Sequence, residues 1–210
     1  MTSQLNNTKK SWLLLPVFGI AIFVLLYITA TLLYPGGSQV DKNADGFSWI
    51  NNYWCNLINE TAMNGQHNPA KPYALTAMFV LCVSLSFFWF YFPMQISFGK
   101  LSRLIIQVSG TIAMAIAFLL FTDFNHDLVI NLASIFGLIA TTGTFFGLYK
   151  SKWYGLFLFG LLNLLLIGVN NYVYYTKELI IYLPVIQKIS FASFLIWICS
   201  IDVHLYRKSI

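Results

Sequence analysis

Six stretches of roughly twenty residues carry almost no charge, and that pattern restricts the fold more than any motif does. They cover 12–34, 73–92, 104–122, 128–149, 153–175 and 184–206. A hydrocarbon layer about 30 Å thick needs about 20 apolar residues wound as a helix, because only then is every backbone N–H and C=O paired inside the segment. A β-barrel would instead need segments of about ten residues alternating apolar and polar. Runs such as Leu161-Leu162-Asn163-Leu164-Leu165-Leu166-Ile167 do not alternate. The expectation is an all-α polytopic membrane protein, one domain over 1–210 with six transmembrane helices. Only 9% of residues are charged, against about 25% in soluble domains, so a water-facing surface cannot be built. The first stretch lacks a cleavage pattern and reads as a retained span rather than a signal peptide.

Basic residues orient the spans, since short cytoplasmic loops accumulate Lys and Arg. Lys9, Lys10, Lys100, Arg103, Lys150, Lys152, Arg207 and Lys208 fall on one side, and only Lys42, Lys71, Lys177 and Lys188 on the other. Both termini are therefore expected in the cytoplasm. Asp41, Asp45, Glu60, Asp123, Asp127 and Glu178 all lie outside, leaving Asp202 as the inner exception, explained by a solvated ion pair with Arg207 or Lys208. The net charge of +5 reflects this sidedness, and no basic groove for nucleic acid is implied. The three cysteines, Cys55, Cys82 and Cys199, fit neither a disulfide framework nor a zinc site.

One loop is long, 35–72, and long loops without function are uncommon. Pro35-Gly36-Gly37-Ser38 opens it with a turn, and Asn64-Gly65 supplies a stop. Between them Phe47, Ile50, Trp54, Leu57, Ile58 and Ala62 recur at helical spacing, with Ser48, Asn51, Asn52, Asn56, Asn59 and Glu60 opposite. The spacing predicts an amphipathic helix over Phe47–Met63 lying on the outer leaflet. Asn59-Glu60-Thr61 also matches a glycosylation sequon.

Polar groups at membrane depth are costly and tend to line cavities. Asp123, His126, Asp127 and Asn131 descend from the outer side into the fourth span, Asn163 and Asn170 climb the fifth, Lys188 enters the sixth and His67 precedes the second. Together they suggest an outward polar pocket, with Asp123, His126, Asp127, Asn131, Asn170, Lys188 and His67 as binding residues. His126 between two carboxylates could serve as an acid/base group or metal ligand, but no metal-ligand motif accompanies it and no cofactor is expected. Nucleophile, phosphate-loop and dinucleotide motifs are absent from the sequence. Gly143 and Gly147, four apart, permit close helix packing within the chain or a homodimer.

Tyr34-Pro35-Gly36-Gly37 after the first span, Asn64-Gly65-Gln66-His67-Asn68-Pro69 before the second and His126-Asp127 before the fourth resemble the multi-span proteins of domain-of-unknown-function family 998, whose layout is distantly similar to DRAM-type six-span proteins. The resemblance implies this topology and a bacterial cytoplasmic membrane. Where that family carries Ser-Asp-Leu-Gly, this chain has Cys55-Asn56-Leu57-Ile58, without the carboxylate. The function expected first is non-enzymatic binding of a lipid or small amphiphile, with the bilayer as the main partner. A membrane-embedded lipid hydrolase is the alternative, and a small transporter the third.

Overall fold

The computed structural model describes residues 11–119 and 126–209, except the side chains of His126, Asp127 and Ile130. Within it, six helices are long and apolar enough to cross a membrane. They are α1 (Leu15–Leu33, preceded by a 3-10 turn at Trp12–Leu14), α2 (Lys71–Gln95), α3 (Lys100–Phe118), α4 (His126–Lys150), α5 (Tyr154–Tyr175) and α6 (Leu183–Ser209). No strand occurs among the described residues, only two isolated bridges, Gly36 with Asp45 and Thr61 with His67. The outward stripe of α5 explains why these helices need lipid: Leu158, Leu165 and Tyr172, seven apart, are each more than 60% exposed. Apolar surface in such continuous stripes is tolerated only in an apolar solvent.

Two prolines lie near the ends of α2. Pro72 lies in the first turn of α2, where a missing N–H costs nothing, and the preceding Asn68 side chain accepts the Ala70 N–H at 3.1 Å. Pro93 does not end the helix, which continues to Gln95. Placed in the last turn, it forfeits a single backbone bond. The α4–α5 turn is tight, with Lys152 in the left-handed region at φ 60° and the Trp153 N–H returning to the Leu148 carbonyl at 2.9 Å.

The chain folds as two compact units. The first comprises 1–21, 79–160 and 196–210. Its helices approach closely wherever glycine meets a ring or branched side chain. A Cβ on Gly110 of α3 would lie 2.2 Å from Trp89 Cγ of α2, and one on Gly143 of α4 would lie 2.4 Å from Ile106 of α3. Gly147 backs onto Phe92 and Phe98. Both α4 glycines are thus taken up by packing inside the chain. Phe145 stacks on Trp197 at 5.5 Å, and the Trp197 indole donates to the Leu156 carbonyl at 2.8 Å, joining α4, α5 and α6.

The second unit, 22–78 and 161–195, contains the long loop. The expected Phe47–Met63 helix is not there. A 3-10 helix at Trp54–Ile58 is its only helical piece. Local side chains compete with the backbone: Asn52 Oδ1 accepts the Ser48 N–H at 2.8 Å, Ser48 Oγ the Asn51 N–H at 3.2 Å, and Asn56 Oδ1 the Tyr53 N–H at 2.7 Å. The supposed water face holds only in part: Asn59 and Glu60 are exposed, and Leu57 and Ala62 opposite are buried. Asn52 and Asn56 are buried, while Ile50 is 66% exposed.

Candidate functional site

Loop 35–72 is built around three asparagines that satisfy it from within. Asn52 Nδ2 donates to the Gly37 carbonyl at 2.8 Å. Asn68 Nδ2 faces the carbonyls of Asn56, Leu57 and Asn59 at 3.3, 3.2 and 2.8 Å. Gly37 adopts φ +82° with no room for a Cβ, which would meet the Asn64 nitrogen at 2.3 Å. Tyr27 of α1 and Tyr34, just past its end, hold the loop down: Tyr27 donates to the Trp54 carbonyl at 3.2 Å, and the Tyr34 hydroxyl accepts the Met63 N–H at 2.9 Å. From α6, Lys188 donates to the carbonyls of Asn52 and Pro184, with its ammonium 5.7 Å from the Phe47 ring centre.

These contacts determine what the expected pocket residues do. Lys188 is a tether between α6 and the loop. His67 is exposed, in the bridge with Thr61. Nearby, Lys71 pairs with Glu60 and holds its carboxyl below the usual range. Asn170 is half-buried on α5, its Oδ1 unmatched among the described residues. No described hydrogen bond or ion pair links His67, Asn170 and Lys188 to one another. Asn131 is exposed on α4. Asp123 lies outside the described residues, as do the side chains of His126 and Asp127. Asp202 is not the solvated ion-pair member expected. It is 3% exposed, its Oδ2 has no described partner, and the one ion pair among the described residues is Lys71–Glu60. Desolvation pushes the Cys55 thiol above its ordinary range, opposed by a backbone hydrogen bond and by Lys188.

A cavity of about 640 Å³ lies elsewhere, in the first unit between α2 and α3. On α2 it is lined by Phe79, Cys82, Val83, Ser86, Phe87, Phe90 and Tyr91, a face at i, i+3, i+4, i+7 spacing. On α3 it is lined by Thr111, Met114, Ala115 and Phe118, with the same period. Large rings prop its ends apart. Phe79 meets Phe118 edge-on at 5.6 Å, and Tyr91 gathers Trp12, Phe87 and Phe90 within 6.0 Å. Between them Cys82, Ser86, Thr111 and Ala115 are too small to fill the gap, so a hollow remains. Its polar content is slight. Ser86 Oγ already donates to the Cys82 carbonyl at 2.8 Å.

The lining of the groove contains no carboxylate, imidazole or amine; its only ionisable groups are the Cys82 thiol and the Tyr91 phenol. Its volume falls within the 300–1,000 Å³ typical of small-molecule sites. The two residue stripes were present in the sequence at helical period, although nothing in either one alone marks a hollow. No family model, curated protein or solved structure matches this chain.

Proposed function

We propose that the protein is a non-enzymatic, multi-pass membrane protein that retains a lipid or single-tailed amphiphile by its hydrocarbon chain in the α2–α3 groove. The observation that carries this is the mainly apolar lining of a hollow of about 640 Å³ between two helices long and apolar enough to span a membrane. Lipid tails are as apolar as the lining, so no hydrophobic force favours one chain over its neighbours. Retention depends on dispersion contacts in a space that the protein's own side chains leave empty. In this proposal both termini are in the cytoplasm, which the excess of Lys and Arg at those helix ends supports.

The test is native mass spectrometry of the full chain released from mild detergent, comparing wild type with Ala115→Trp, which fills the groove, and Leu104→Trp, on an exposed part of α3. A bound lipid in wild type and Leu104→Trp that is lost in Ala115→Trp supports the proposal. Equal retention in all three, or none in any, contradicts it.

A further inference from the structure

A second site is written at the basic end of α4–α6, apart from the groove. Trp153 follows the α4–α5 turn, and its indole packs edge-on against the His204 imidazole of α6, ring centres 4.5 Å apart. Lys208, one turn beyond His204, lies with its ammonium 4.8 Å from the Trp153 ring centre. Both Trp153 Nε1 and His204 Nε2 are buried with no hydrogen-bond partner among the described residues. An indole N–H can only donate, and a buried donor left unmatched is destabilising. The indole N–H of Trp153, and the His204 Nε2 in its N–H tautomer, therefore lack an acceptor among the described residues.

The charge nearby indicates what that acceptor is. Lys152 lies in the turn before Trp153, and Arg207 and Lys208 end α6. None of them forms an ion pair among the described residues. Asp202 is about 200° round the helix from His204 and faces elsewhere. The acceptor is therefore anionic. A tryptophan with basic neighbours at a span's end sits at headgroup depth, where the available anions are phosphates. Lys208 is exposed at the same end of the helix.

We infer that Trp153, His204 and Lys208 form a phosphate site, taking two ring N–H donors and one ammonium to the oxygens of an anionic lipid headgroup or a soluble phosphate. The experiment uses the purified full chain in detergent, titrated separately with phosphatidylglycerol, phosphatidylcholine and inorganic phosphate. Bound lipid is read by native mass spectrometry and protection by thermal unfolding, in wild type, His204→Phe, which keeps a ring without the donor, and Lys208→Ala. Preferential retention of phosphatidylglycerol over phosphatidylcholine, reduced about tenfold by either substitution, identifies a lipid headgroup. Protection by inorganic phosphate that both substitutions abolish, without a lipid preference, identifies a soluble phosphate. Retention and protection that neither substitution alters, or no effect of any probe, overturns the site. Unfolding midpoints without added ligand report whether either variant is damaged, and Lys208→Ala, at an exposed position, keeps the test valid if His204→Phe is. Filling the groove with Ala115→Trp leaves the headgroup preference intact, so this site and the proposed function fail separately.

Discussion

The ammonium of Lys188, near the start of α6, donates to the backbone carbonyl of Asn52, 136 residues earlier in the chain. It also donates to its own helix at Pro184 and lies over the Phe47 ring. A charge spent on two carbonyls and a ring face holds the loop in place instead of awaiting a ligand. Lys188→Met keeps the stem and removes the donor, leaving the Asn52 carbonyl bare. The expected cost is about 1–3 kcal/mol. Hydrogen exchange over 37–68 should rise, and unchanged exchange would count against the tether.

Asn68 is the loop's other fixed point. Asn68→Asp keeps the acceptor for the Ala70 N–H but sets a carboxylate against the carbonyls of Asn56, Leu57 and Asn59. Destabilisation of about 3 kcal/mol or more is expected, because a buried charge loses its solvation and gains no donor. Thermal unfolding in detergent measures it, and a loss below about 1 kcal/mol would show that the loop does not depend on this side chain.

Close approach of α2 and α3 at Trp89 and Gly110 predicts a sharp steric asymmetry. Gly110→Ala places a methyl within 2.2 Å of Trp89 Cγ and should cost about 1–3 kcal/mol. Gly137→Ala, where nothing lies within 4 Å, should be neutral or slightly stabilising. Equal unfolding midpoints for the two variants would contradict the contact.

The Glu60–Lys71 pair gives a pH dependence with a definite sign. Lys71 lowers the folded carboxyl, so the stabilisation is present above the unfolded value, about 4.3, and lost as pH falls through the folded value. Wild type and Glu60→Gln should differ slightly at pH 7 and coincide near pH 2. Because the pair is exposed, salt should shrink the difference. A difference that persists in acid would assign it to another cause.

The six spans were legible because length and apolarity are local properties that a bilayer tests directly, and each helix appears where its uncharged stretch runs. The loop was not. Asn52, Asn56 and Asn68 have the composition of a solvated face, and only long-range partners such as Gly37 and Leu57 reveal them as buried struts. Lys188 misled in the same way, since Asn52 O is a backbone atom that leaves no mark in the sequence. The groove stayed hidden for a different reason. Ser86 and Ala115 are ordinary small residues of membrane helices, and they leave a hollow only because Phe79, Phe118 and Tyr91 keep the surrounding surfaces apart.

Occupancy of that hollow is tested most directly by a photo-crosslinking residue at Met114, on the groove wall, compared with one at Leu104 on an exposed part of α3. After exhaustive exchange into detergent, the proposed function predicts that Met114 still crosslinks to a co-purified hydrocarbon chain while Leu104 does not. Equal lipid crosslinking at both positions, or none at either, would contradict it.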